Sequence, residues 1–592
     1  MHYRANVMYT LGINAAFHDC SATLVRDGEV VAAAEEERFT RIKHGKRPVP
    51  FSTWQLPYHA IDYCLGHAGI ALPDVDHVAY SFDPALLAGP RSLPPTLTLP
   101  LEPSRQPRGP DGESPWDPLF LAYIVNAPRQ LLSGAPHHLR ERFEGLSLEQ
   151  LQARWQFVEH HLSHEASAFL AAPCDECAVL TMDGRGERAT TSYGHFADGR
   201  YRRLRQIDLP HSLGLLYEDV TQYLGFLRSS DEYKVMALAS YGKPEYADVF
   251  RKIVRLDREG GYAIEPANLV TRFGPPRKRG APFETRHKDI ASSLQFVLEE
   301  TALHMATWLH EQTGSRNLSM AGGVALNCVM NARISTDGPF ESVWVQPAAG
   351  DAGTSLGAAL WLDYERREQH DRRERPVRRW TMQHAYLGPE YADEEIERFL
   401  DRSRVAHRRL DNVAEEAAEL LAQEKILGWF QGRMEFGPRA LGARSILASP
   451  LDSAMQARLN GLKDREDFRP VAPVVIEDRA PEWFDAGGRE GICAPFMLFV
   501  YDVLPHRAKQ IPAVRHIDGT ARVQTVRRDQ HALYYDLLEA FERRTGVPVL
   551  VNTSFNTRGE PVVCTPRDAL ESFWTSPLDA LVIGSYLVEK TV

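Results

Sequence analysis

The sequence predicts an α/β protein with an N-terminal part built by duplication and a separate α/β domain behind it. Three observations carry this. A strand–loop–strand–turn–strand pattern occurs twice, a charged run with a proline inside it interrupts the chain around residue 370, and a fresh α/β pattern starts after that run. The 592 residues allow two or more domains, each able to bury a core. With 43% hydrophobic and 25% charged residues, the composition is that of an ordinary folded protein and excludes wholesale disorder.

The first copy of the pattern is "YTLGINAAFHDCSATLVRDGEVVAAAEEE", residues 9–37; the second is "CAVLTMDGRGERATTSYGHFADGRYRRLRQI", residues 177–207. In each, an apolar strand leads into a short polar loop, a second strand, an Asp-Gly turn (Asp27-Gly28, Asp198-Gly199) and a third strand. Asp-Gly between strands is a strong hairpin signal. Two such meanders predict two polar loops facing each other across a cleft. That is the layout of the actin/Hsp70/sugar-kinase class, in which such loops hold phosphates. Further on, "NLSMAGGVALNCVMNARI" (317–334) predicts a buried strand, a Gly-Gly turn and a helix. Gly322 and Gly323 suit either close approach of a ligand to a helix N-terminus or simple tight packing. "VQPAAGDAGTSLGAALWLDYERRE" sets Asp351 in a small-residue loop before another helix.

Residues 83–118 are too rich in proline for a regular helix and too long for a turn, and read as a substrate lid or an insertion. The run "ERREQHDRRERPVRR" (365–379) predicts a linker over 369–384, dividing the chain into domains 1–368 and 385–592.

The net charge of −11 argues against nucleic acid as a partner, although a local basic cleft could hold a small anion. No stretch reads as a targeting peptide or a membrane span, so a cytoplasmic protein is expected. Oligomeric state is left open. Seven scattered cysteines do not make a disulfide framework. Cys174 and Cys177 have CxxC spacing but no second pair, and read as two thiols at the mouth of a buried strand.

The second domain carries its chemistry in arginine. "FQGRMEFGPRALGARSILASP" holds Arg433, Arg439 and Arg444. "LNGLKDREDFRPVAPVV" holds Lys463, Arg465 and Arg469. "DGTARVQTV" holds Arg522, and "VLVNTSFNTRGEPVV" holds Asn552, Ser554 and Asn556. These cations sit among glycines, prolines and apolar strands, not at the spacing of an exposed helix face. Guanidinium groups near buried strands are costly unless an anion compensates them, and arginine matches phosphate geometry. An anion site is expected here.

In "VEHHLSHEASAF", His160 and His164 share one helix face. By spacing alone they fit either a polar helix start or two metal ligands. His18, in the first polar loop, suits a general base near neutral pH or a hydrogen-bonded structural role. Lys43 and Lys46 lie in the basic loop "RIKHGKRPVPF", which is either solvated or in contact with acceptor or phosphate.

Six motifs in order, "GINAAFHD…EEERFTRIKHGKRPVPF", "HHLSHEASAF", "DEYKVMALASYG", "FGPRALGARSIL", "KDREDFRPVAP" and "VNTSFNTRGEP", span almost the whole chain. Together they resemble the O-carbamoyltransferases of antibiotic and nodulation-factor tailoring, and the N-terminal run looks most like members that act on aminoglycosides. The resemblance implies an actin-like (ASKHA, TsaD-like) N-terminal domain and a YrdC-like C-terminal domain. It implies that the latter makes carbamoyl adenylate from carbamoyl phosphate and ATP, with Mg2+ accompanying the nucleotide. Arg439, Lys463, Arg465, Arg469, Arg522, Asn552, Ser554 and Asn556 would bind these substrates. The N-terminal domain would pass the carbamoyl group to a hydroxyl of a sugar or aminoglycoside-type small molecule, with His18 as base.

The same resemblance implies that His160 and His164 are ligands of an iron ion (Fe2+), with Asp183 and Asp351 as the carboxylate candidates. Gly184, Gly214, Gly322, Gly323 and Asn327 would lie near the nucleotide. Asp231 and Lys234 are further acceptor candidates beside Lys43 and Lys46. The competing classes are an actin-fold kinase, which needs no arginine-rich second domain, and a tRNA threonylcarbamoyl-type enzyme, which the acidic charge disfavours.

Overall fold

Both Asp-Gly pairs form the turns expected of them. Asp27 and Gly28 have φ of 49° and 89°, and Asp198 and Gly199 have 53° and 68°. Two consecutive left-handed residues are what a two-residue hairpin turn of the right twist requires. The computed structural model describes residues 7–45, 52–87, 117–370, 377–488, 491–557 and 559–590. Most of the proline-rich segment, Lys46 and part of the expected linker lie outside the described residues.

By packing, the chain forms two compact units. The first comprises residues 1–172, 185–189 and 348–381. It holds strands β1 (Tyr9–Asn14), β2 (Ser21–Arg26), β3 (Glu29–Glu35), β4 (His77–Tyr80) and β5 (Trp155–Phe157), in the order β3-β2-β1-β4-β5. β1 runs antiparallel to β2 and parallel to β4.

The second unit comprises 173–184, 190–347 and 382–592. Its first sheet is built from β6 (Cys177–Met182), β7 (Ala189–Ala197) and β8 (Arg200–Asp208). A separate hairpin of β9 (Val254–Leu256) and β10 (Tyr262–Ile264) comes next, and then β11 (Asn317–Ala321) and β12 (Ser342–Val345) return to the sheet. The sheet order, β12-β11-β6-β7-β8, repeats that of the first unit strand for strand. Again the first strand is antiparallel to its hairpin partner and parallel to the returning strand. Two copies of this five-stranded pattern make the N-terminal part an actin-like duplication.

The same unit carries a nine-stranded mixed sheet. Its strands are β13 (Arg408–Arg409), β14 (Leu427–Phe430), β15 (Arg444–Ala448), β16 (Ala472–Ile476), β17 (Phe499–Asp502), β18 (Thr520–Val526), β19 (Val549–Ser554), β20 (Ala580–Ile583) and β21 (Tyr586–Glu589). Their order is β13-β21-β20-β14-β15-β19-β16-β18-β17. β14 is buried throughout, and its alternation sends Trp429 and Phe430 to separate cores. Trp429 packs in the core with Tyr534 and Phe541 of helix Ala532–Thr545, whereas Phe430 shares a core with Phe573 of helix Pro566–Trp574. A sheet covered on both faces reads as continuous apolar runs, as these strands do.

One packing contact in the first unit fixes where Asp351 can sit. Helix Ala352–His370, directly after it, lies against helix His160–Phe169 and against β1 with almost no side-chain spacing. A Cβ on Gly357 would fall 1.7 Å from the Ser163 carbonyl oxygen, and one on Gly12 would fall 1.9 Å from that of Ser355. An ordinary helix glycine gains stability when replaced by alanine; here the sign reverses. Gly357→Ala should lower unfolding free energy by about 1–3 kcal/mol through overpacking. Gly461→Ala, in helix Met455–Leu462 with open space at its Cβ, should raise it by about 0.5–1 kcal/mol. Denaturant titration of the two variants checks both signs.

Candidate metal and anion sites

In the first unit, helix His160–Phe169 starts just past β5 and carries its histidines into the interior. His160, His164 and Asp351 are all buried. The His160 and His164 Nε2 atoms lie 3.5 and 3.7 Å from the same oxygen, Asp351 Oδ1, and the rings stand perpendicular with centroids 4.7 Å apart. His160 Nδ1 faces the Ser81 carbonyl at 3.3 Å. The tautomer that donates there leaves a lone pair on Nε2, directed at the carboxylate. Two imidazole nitrogens and a carboxylate oxygen, all within 4.8 Å of one another, form a donor set suited to iron or zinc. Burial raises the pKa of Asp351, but the imidazoles of His18, His160 and His164 around it outweigh that and hold the carboxyl well below its usual range.

His18 sits in the β1–β2 loop with its side chain 43% exposed. Asn14 fixes the loop by donating to the His18 and Asp19 carbonyls at 3.0 Å each. His18 Nδ1 lies 3.1 Å from Asp19 Oδ2 and 3.9 Å from Asp351 Oδ2. The other Asp19 oxygen lies 2.8 Å from His44 Nδ1. Lys43 is exposed next to His44.

The remaining sequence-derived residues belong to the second unit. Asp183 comes directly after β6 and accepts the Gly323 N–H at 2.7 Å. Gly214 approaches Gly184 so closely that a Cβ would fall 2.8 Å from its Cα, and Gly322, at φ +91°, would place one 2.2 Å from the Met182 carbonyl. Asp183, Gly184, Gly214, Gly322 and Gly323 are therefore brought together. The tight-packing reading of the Gly-Gly turn fits this arrangement, since its glycines pack closely around a buried carboxylate. The Asn327 side chain is occupied: it caps helix Cys328–Asp337 by accepting from Met330 N at 3.0 Å, and it bonds Gln295.

The nine-stranded sheet gathers the expected cations. Lys463, buried, donates to the Ser554 carbonyl, to Ser554 Oγ at 3.0 Å and to Asn556 Oδ1 at 2.7 Å. Burial, with Arg465 and Arg469 nearby, drives its pKa well down. Burial, then Arg469 and Arg522, brings Arg465 down to about 9. Burial, then Arg522, brings Arg439 to about 9 as well. Arg522 is lowered by burial and by Arg469. Among the described residues, Arg439 Nε, Arg465 Nη2 and Arg522 Nε are buried without a hydrogen-bond partner. Asn552 braces the Arg439 loop, donating to the Ala440 carbonyl at 3.1 Å. Arg433 and Arg444 do different work. Arg444 donates to the Gln431, Gly432, Ala443 and Pro389 carbonyls, and Arg433 to those of Leu387 and Gly388.

Comparison with known proteins fits this division. Residues 9–86 and 141–360 match the carbamoyltransferase N-terminus family model, and 418–590 match the carbamoyltransferase C-terminus model. The nodulation protein NolNO of Sinorhizobium fredii is 39% identical, over 98% of this chain and 80% of its own. The chain belongs to the carbamoyltransferase family. The Synechocystis protein sll1178 is also 39% identical, over 98% of this chain and 97% of its own. The nodulation protein NolO of Bradyrhizobium diazoefficiens is 39% identical over 73% of this chain and 79% of its own. Both halves of this carbamoyltransferase-family chain thus fall inside the matched regions, with the proline-rich segment between the two N-terminal stretches. Among the described residues no helix is long and apolar enough to cross a membrane. Cys174 and Cys177 form no disulfide; Cys177 opens β6.

Two residues that organise these sites escape sequence reading. Glu435 holds the Arg439 loop by accepting from Leu441 N at 2.7 Å and Ala443 N at 2.8 Å. Glu187 accepts from His160 N at 2.9 Å and Asp83 N at 2.6 Å, tying helix His160–Phe169 to the end of β4. Burial lifts the Glu187 pKa to about 7 against the pull of His160 and the backbone donors. The folded state therefore holds this proton more tightly than the unfolded chain, and the group costs stability as pH rises from about 4.5 to about 7. Glu187→Gln keeps an oxygen for both donors and has no proton to lose. It should melt above wild type at pH 8, with the gap closing towards pH 4.5, in thermal scans across that range.

Proposed function

We propose that the chain is an ATP-dependent O-carbamoyltransferase with two half-reactions. In the first, water cleaves carbamoyl phosphate to carbamate and phosphate. A carbamate oxygen then attacks the α-phosphorus of ATP and pyrophosphate leaves, giving carbamoyl adenylate. In the second, an acceptor hydroxyl oxygen attacks the carbamoyl carbon and AMP leaves. The nitrogen lone pair makes carbamate a poor electrophile, and adenylation supplies the leaving group. A sugar or aminoglycoside-type hydroxyl is the proposed acceptor, and a reaction fed by ATP and carbamoyl phosphate belongs in the cytoplasm.

The observation that carries this reading is the set of buried guanidinium nitrogens, Arg439 Nε, Arg465 Nη2 and Arg522 Nε, left without partners beside Lys463. Desolvated cations that repel one another are stable only with anions between them. Triphosphate and carbamoyl phosphate supply those anions, with Mg2+ carried by the nucleotide. A kinase reading leaves this site without a task.

In the second half-reaction His18 takes the hydroxyl proton. With Nδ1 turned to Asp19, Nε2 is the basic atom. Asp183, Gly184, Gly214, Gly322 and Gly323 form the proposed floor for the adenylate. His160, His164 and Asp351, with Asp183 as a fourth candidate, would hold a divalent ion, iron by family resemblance. When bound, that ion would supply Lewis-acid polarisation of the phosphate. Lys43, and Lys46 outside the described residues, are proposed acceptor contacts.

Purified chain given ATP and carbamoyl phosphate without acceptor should release pyrophosphate. His164→Ala should still do so, and Arg522→Ala should lose about tenfold or more, the scale of one charge-assisted hydrogen bond. No pyrophosphate from any of the three, with ADP formed on adding sugars, would sink the proposal. Elemental analysis tests the metal separately: His164→Ala and Asp351→Asn should retain far less bound metal than wild type.

A further inference from the structure

The motif "DEYKVMALASYG" supplies two of the acceptor candidates, yet its residues meet the arginine site. Asp231 is buried at the start of helix Glu232–Ala239, with Leu227 N donating to its Oδ2 at 3.0 Å. Lys234 Nζ lies 3.2 Å from Asp231 Oδ1 and donates to Glu466 Oε1 at 3.0 Å. The second Glu466 oxygen lies only 3.7 Å from Arg469 Nη1. The Arg469 guanidinium stacks over the Tyr233 ring at 4.7 Å, a contact that leaves its N–H donors free to point elsewhere. Charge alternates along this path: Asp231, Lys234, Glu466, Arg469.

Glu466 is thus an internal competitor for the anion that Arg469 would bind. Arginine–carboxylate pairs frequently close into a bidentate geometry where the carboxylate is free to turn. We propose that Lys234 is a positioning residue that clamps Glu466 and keeps Arg469 available to the phosphates of the anion site. The inference rests on the arginine cluster being that site. Lys234 touches no substrate and acts through Glu466. Tyr233 supports the same arrangement from below the guanidinium.

Inorganic pyrophosphate, titrated calorimetrically into the full chain, is the direct probe. Lys234→Met should weaken its binding about tenfold, the scale of one charge-assisted hydrogen bond. Glu466→Gln should bind at least as tightly as wild type. The double variant Lys234→Met/Glu466→Gln should recover wild-type affinity, a rescue that a merely structural lysine would not permit. Wild-type affinity in Lys234→Met, or a double variant as weak as the single one, would overturn the inference. So would tenfold weaker binding in Glu466→Gln, which stands even if Lys234→Met fails to fold. A wild-type chain that binds no pyrophosphate would remove the anion site and this inference together. Binding with the expected order but no pyrophosphate release from ATP would remove only the proposed reaction.

Discussion

Helix Ala352–His370 brings Asp351 to His160 and His164 only because backbone can touch backbone along it. Gly357 abuts the Ser163 carbonyl, and Gly12 of β1 abuts that of Ser355. Spacing the two helices by a single methyl group would move the carboxylate relative to imidazoles that now converge within 4 Å of it. Ligand sets tolerate displacements of a few tenths of an ångström, so these glycines act on the candidate metal site without belonging to it. Ser21 and Thr23 complete the seam, with Ser21 Oγ donating to the Ala352 carbonyl at 2.7 Å and both hydroxyls meeting Ser355 Oγ. These hydroxyls are satisfied inside the seam, where bulky side chains are absent.

The C-terminal sheet meets the opposite problem. Arg444 is buried as deeply as any cation in the chain, but four carbonyls and the Phe430 ring 3.7 Å from its guanidinium compensate it. Arg439, Arg465 and Arg522 are desolvated with less return, and they repel one another. A fold that spends stability in this way keeps cations in a place where protein alone does not neutralise them. The difference between Arg444 and Arg439 lies in what surrounds each one, since both come from the same stretch of sequence.

That contrast sets the limit of what is legible in the sequence. The hairpins, the duplication and His160/His164 are readable because each depends on local spacing: two residues for the turn, four for one helix face. Asp351 stands out by its place in a small-residue loop. The roles of Arg444 and Arg439 are not separable in sequence, because "GPRALGAR" sets both among small residues and the four carbonyls and the Phe430 ring that distinguish Arg444 come together only in the fold. Asn327 reads as a nucleotide contact, although an asparagine three residues ahead of a helical N–H carries an ordinary capping signal. Glu187 is singled out by nothing in its own stretch of sequence. Its burial comes from Asp83 and His160, distant in sequence, and no local pattern encodes that.

Long-range encoding is also why the "DEYK" motif changes meaning in three dimensions. Lys234 and Glu466 are separated by 232 residues, yet they share one hydrogen bond in the same compact unit. The arginine site is therefore not wholly a product of the C-terminal sequence, since its charge balance is set partly by a helix from the duplicated region. A stand-alone C-terminal segment would keep Lys463, Arg465 and Arg469 but lose the lysine that restrains Glu466 and the ring beneath Arg469. In this chain, the two regions are coupled through the electrostatics of one arginine cluster, because the same short helix contributes to packing and to that balance.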